Sequence, residues 1–118
     1  MVEISDDYMK SRLATVRPYT VVVLKKGTAY TPAHSRPEEQ TRIVREHGRR
    51  NMALQAEGKL AIVGPLHGGG ESVGLYIFTV PEVEVRAIMD TDVAYKAQIF
   101  TYEVMTLLGF PGDALPPA

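Results

Sequence analysis

Hydrophobic and polar residues follow two different periods along this chain, and the switches between them mark its elements. Tyr19 to Lys25 (YTVVVLK) is a continuous run rich in β-branched residues, the pattern of a strand buried on both faces and so of a sheet's centre. Gly27 to Pro37, with two prolines, Gly27, Thr28 and Ser35, reads as a loop. From about Glu38 to Glu57 the period becomes helical: Ile43, His47, Asn51 and Leu54 recur at three- and four-residue spacings along one face, and Gly58 ends the helix. Lys59 to Leu66 predicts a second strand, His67 to Glu71 a glycine-rich turn, and Ser72 to Val80 a third strand paired with the second as a hairpin. Pro81 opens a short helix with Glu82 and Glu84 in its first turn and Val85, Ile88 and Met89 facing inward, ending near Asp90. Ala97 to Leu107 predicts the last strand.

The order β-α-β-β-α-β is that of an α+β, ferredoxin-like fold: an antiparallel sheet with both helices on one face. Both faces of the third strand are nevertheless apolar, with Val73, Leu75 and Ile77 alternating with Tyr76, Phe78 and Val80. Two helices cover one face only. The other is expected to pack on a second copy in a sheet-to-sheet homodimer, with association beyond the dimer left open.

One domain is expected over residues 1–118, with two appendages. Residues 1–17 predict a helical extension, capped by Ser5 with Asp6 and Asp7, carrying a narrow Met9, Leu13 and Val16 stripe and ended by Pro18. Residues 109–118 (GFPGDALPPA) are too rich in Pro and Gly for regular structure and read as an arm lying across a partner or over a pocket.

The formal charge of −1 supplies no sustained basic field, so neither nucleic acid nor an anionic membrane is expected as a partner. Arg36, Arg42, Arg45, Arg49 and Arg50 cluster locally, and the sequence reads them as a solvated helix face offset by Glu38, Glu39 and Glu46. Without cysteine there is no disulfide framework and no thiol nucleophile, which suits a reducing compartment; the cytoplasm is the expected location. The opening MVEISDDYMK is acidic where a secretory signal is basic, and no window approaches the roughly 20 apolar residues of a bilayer span.

The chemistry centres on His47 and Asn51, polar residues on a face where Ile or Leu would pack better. Burying them unpaired costs roughly 1 to 3 kcal/mol, so this face reads as a pocket wall. His47 is either a proton carrier or a core histidine satisfied by a carbonyl. Gly48 beside it weakens the helix, for which close packing or ligand access would account. Asp90-Thr91-Asp92 places acids against the dipole at a helix C-terminus, so that one carboxylate either orients His47 or makes a solvated Asx turn. His34 and His67 lie in loops, and with no ligand spacing among the histidines no metal site is expected. His67-Gly68-Gly69-Gly70 followed by Gly70-Glu71-Ser72-Val73-Gly74 mimics a lipase oxyanion loop and nucleophile elbow, but Ser72 leads into a strand rather than a helix, so the run reads as a flexible hairpin.

His47, the Glu57-Gly58 helix end, the Gly64-Pro65 strand end and the Asp90-Thr91-Asp92 turn together resemble the YCII-related (YciI-like) family in order and spacing, over roughly Tyr19 to Gly109. The resemblance implies a ferredoxin-like dimeric α+β fold with a site histidine and aspartate, here His47 and Asp92. Family members usually carry proline after the second aspartate; this chain has Val93. The implied function is cofactor-independent acid–base chemistry on a small organic, in some relatives aromatic, molecule, of a lyase, isomerase or hydrolytic kind. His47 would carry the proton, Asp92 orient it, and Asn51, Asp90, Pro65 and His67 meet the substrate, with neither cofactor nor metal. The alternative is a non-catalytic small-ligand-binding or regulatory dimer using the same pocket.

Overall fold

The computed structural model describes residues 1–117. In chain order they form α1 (Asp6–Leu13), β1 (Arg17–Lys26), α2 (Glu38–Ala56), β2 (Leu60–Pro65), β3 (Ser72–Phe78), α3 (Glu82–Asp90), α4 (Val93–Lys96) and β4 (Phe100–Gly109), with a 3-10 turn at Ala33–Ser35. The sheet order is β2-β3-β1-β4, every neighbouring pair antiparallel. This is the split βαβ arrangement of a ferredoxin-like α+β fold, in which β3 separates the parallel strands β1 and β2.

Local chemistry sets the ends of α2. Glu38 and Glu39 in its first turn complement the helix dipole. At its other end Gly58 takes φ 78°, and the Gly58 and Lys59 amides donate to the Gln55 and Leu54 carbonyls at 3.0 Å each, a Schellman closure that turns the chain straight into β2. The core lies on one face of the sheet. Val22 and Leu24 of β1, Tyr76 and Phe78 of β3 and Phe100 of β4 pack there against Leu54 of α2, Val85 and Met89 of α3, and Ala94 of α4.

Strand alternation sends the intervening residues to the opposite face. Register aligns Val21 with Ile77 and Met105, Val23 with Leu75 and Glu103, Ile62 with Ile77, and Tyr19 with Leu107, so that face is largely apolar and lies opposite the one that α2, α3 and α4 pack on. Met105 and Leu107 remain 45% and 41% exposed.

Three expectations are corrected. The last strand starts at Phe100 rather than Ala97, because Asp92 caps the extra short helix α4 and Gln98, at φ 62°, closes it. Four residues are too few to show a helical period. The N-terminal extension is shorter than residues 1–17: α1 stops at Leu13 and Pro18 lies inside β1, opposite Leu108. Pairing with β3 begins only at Thr20, so Pro18 has an unpaired strand edge on which its missing N–H costs nothing. The Met9 and Leu13 stripe is 56% and 53% exposed, not packed on the sheet. Finally, Gly109 ends β4, so the C-terminal arm begins one residue later, with Ala118 outside the described residues. Arg12 joins the appendages, hydrogen-bonding Asp113 at 3.1 Å and lying 4.2 Å from the Phe110 ring centre.

Candidate functional site

Successive turns of α2 place His47, Asn51 and Leu54 on the face turned toward the sheet, and all three are buried. His47 is held from both sides. Its Nδ1 lies 2.9 Å from Oδ2 of Asp92, and its Nε2 lies 3.2 Å from the Tyr76 hydroxyl and 3.5 Å from Asn51 Nδ2. The same Asp92 oxygen accepts the Ala94 and Tyr95 amides at 3.0 and 3.2 Å, so a single atom caps α4 and fixes the imidazole. Three donors converging on one oxygen require it to be an acceptor, and His47 therefore donates from Nδ1–H. Its Nε2 carries the lone pair, to which Tyr76 donates.

The electrostatics of the pair favour an ionised Asp92. Burial alone would raise the Asp92 carboxyl, but the His47 hydrogen bond and charge with the Tyr95 and Ala94 amides outweigh it and hold the group below its ordinary value of 3.8. Burial drives the Tyr76 hydroxyl far above its usual range, outweighing the opposing Asn51 hydrogen bond, with the Asp92 charge adding to the rise and Arg50 opposing it, so the phenol stays protonated and is a donor.

Arg50 braces the pair from behind. Its guanidinium donates to the Ile88 carbonyl at 2.6 Å and to Thr91 Oγ1 at 2.7 Å, and lies 3.7 Å from Asp92 Oδ1, tying α2 to the α3–α4 junction. The sequence reading placed Arg50 on a solvated face; it is half-buried, because the α3 C-terminus leaves carbonyls that an arginine on the adjoining helix can reach.

His47, Asn51 and Tyr76 form one wall of a cavity of about 520 Å³. Leu24, Val63, Val73 and Phe100 supply apolar surface, Gly64, Pro65, Leu66 and His67 one rim, and Tyr30, Ala33 and Arg36 another. The His47 ring leans on Phe100 at 5.2 Å between centres. This volume suits a small organic ligand, and the arrangement can move a proton between Nε2, the Tyr76 hydroxyl and a bound molecule.

Of the residues singled out from sequence, the fold thus gathers His47, Asn51, Pro65 and His67 around the cavity, with Asp92 directly behind His47. Asp90 does not join them. It is exposed at the end of α3 and accepts a hydrogen bond from Tyr102, because a helical chain turns Asp90 away when Asp92 faces inward. Tyr76 was missed; the available signal was a hydroxyl on the inward set of β3, beside Phe78. Among the described residues no group of three His, Cys, Asp or Glu converges as a metal site, and Ser72 opens β3.

Two substitutions test this local reading. A Cβ at Gly48 meets nothing within 4 Å, so close packing is not the reason for the glycine. Gly48→Ala is expected to raise stability by about 0.5–1 kcal/mol in urea unfolding, through helix propensity alone. Val93 occupies the first position of α4, and the preceding Asp92 is extended at ψ 136°, both compatible with proline. Val93→Pro is expected to raise stability by about 0.4–1 kcal/mol in the same assay.

No protein-family model and no curated protein matches the chain. Among solved structures it is similar to the 5-chloro-2-hydroxyhydroquinone dehydrochlorinase of Burkholderia phenoliruptrix AC1100 in complex with 2,5-dihydroxybenzoquinone, at 21% identity and a TM-score of 0.45, covering 73% of this chain and 90% of that one. Among the described residues no helix is long and apolar enough to cross a membrane.

Proposed function

We propose that this chain is a YciI-like, homodimeric cytoplasmic protein that performs cofactor-independent acid–base chemistry on a small organic molecule. The observation that carries the proposal is the buried His47–Asp92 hydrogen bond of 2.9 Å, which sets the imidazole's tautomer and leaves Nε2 basic at the wall of an apolar cavity. His47 carries the proton, Asp92 orients the ring and stabilises its charged form, and Asn51 holds a polar substrate group. Turnover is of a lyase, isomerase or hydrolytic kind.

Proton abstraction can be tested without knowing the product. The protein is incubated in D2O with a panel of small carbon acids, and exchange is followed by NMR. Catalysed exchange that vanishes in His47→Asn supports the enzyme; a panel whose members bind without exchange overturns it. One observation favours the alternative, a non-catalytic ligand-binding or regulatory dimer: both ring nitrogens of His47 already have protein partners, as in a structural histidine.

The apolar outer face around Val23, Leu75, Ile77, Met105 and Leu107, the last two 45% and 41% exposed, supports the homodimer, since surfaces of this kind are rarely left in water. Light scattering is expected to return twice the 13.0 kDa chain mass at micromolar concentration; a well-behaved monomer overturns this part.

A further inference from the structure

We propose that the cavity is built for a small organic monoanion, whose acidic group is held by Arg36 and whose apolar body reaches inward to His47. This names a ligand class for the same cavity and rests on the reading above only in sharing that site. The first observation is the charge of the lining. Among the described residues Arg36 is the one lining side chain of fixed charge and no carboxylate faces the cavity, since Asp92 lies behind His47. A neutral ligand leaves that charge uncompensated, and a dianion exceeds it.

The second observation is that Arg36 is anchored yet unspent. Its Nε donates to the Thr31 carbonyl at 3.1 Å and its guanidinium carbon lies 5.7 Å from the centre of the Tyr30 ring, another lining residue. These contacts orient the fork and leave its terminal nitrogens available. Among the described residues no carboxylate pairs with Arg36, whereas Arg42, Arg49 and Arg86 each pair with a glutamate on their own helix. A held, half-buried guanidinium at the mouth of an apolar cavity matches the two-pronged geometry of a carboxylate.

The test is a calorimetric and thermal-shift titration of the full chain with 3-phenylpropanoate and with its neutral amide. The acid is expected to bind about tenfold or more tightly than the amide. Arg36→Met is expected to bring the acid down to the amide's affinity with only a small drop in the melting temperature of the free protein, from the lost Thr31 hydrogen bond, and Arg36→Lys to keep part of the preference. Equal binding of acid and amide, a preference that survives Arg36→Met, or no binding of either up to millimolar concentration overturns the proposal. His47→Asn is expected to lose proton exchange and keep the preference for the acid. Anion recognition and proton chemistry therefore fail separately.

Discussion

Asp92→Ala is expected to lower the unfolding free energy by about 3 kcal/mol in urea, the largest stability loss of any single substitution considered for this site. The side chain does three jobs through one oxygen, and alanine abandons all of them. Losing the α4 cap costs about 1 kcal/mol, and leaving the buried His47 N–H without an acceptor costs a further 1–3 kcal/mol. Asp92→Asn is expected to lose at most about 1 kcal/mol, because an amide oxygen in the Oδ2 position still accepts from His47, Ala94 and Tyr95. What asparagine removes is charge.

The pH dependence follows from the sign of the shift. Asp92 is held below its ordinary 3.8, so its ionised form stabilises the fold above that value, and the contribution disappears as pH falls through the lower folded value. The gap in stability between the wild type and Asp92→Asn should accordingly close as the pH falls below about pH 4. A gap that widens on acidification would mean that the folded state favours the protonated carboxyl.

The second large effect is on chemistry. His47→Asn is expected to reduce catalysed hydrogen–deuterium exchange by at least about a hundredfold, the usual contribution of a positioned general base. Asparagine tolerates a polar helix position but has no lone pair comparable to imidazole Nε2. The fold should persist in circular dichroism, with a stability loss of roughly 1–3 kcal/mol from the Tyr76 and Asp92 hydrogen bonds. Exchange that persists in this variant alongside the lower stability would assign proton transfer elsewhere and make His47 structural.

Local patterns sufficed for the strand and helix order. The two-residue alternation of β3, the three- and four-residue recurrence of Ile43, His47, Asn51 and Leu54, and Gly58 as a helix terminator are all determined within a few residues, so they are legible in a single chain. Burial of His47 and Asn51 was legible for the same reason. The apolar outer face also follows from alternation alone. The meeting of His47 with Asp92, 45 positions apart, needed more than periodicity: the family resemblance and two helices packed on one sheet face.

The tertiary structure alone decided the rest. Helix α4 is too short to show a period, and it forms because Asp92 caps it and Ala94 fits against the core. That cap turns Asp92 inward and leaves Asp90 outside, a choice between two identical side chains that no local rule makes and that the family resemblance alone had pointed to. Arg50 and Arg36 share a charge run with solvated arginines and differ from them only in what stands opposite: the Ile88 carbonyl and Thr91 for one, the Tyr30 ring and an apolar cavity for the other. A residue's periodicity says which way it points, and its chemistry depends on what it then faces. Here the facing groups come from distant parts of the chain, which is why the site's supporting contacts were settled by packing.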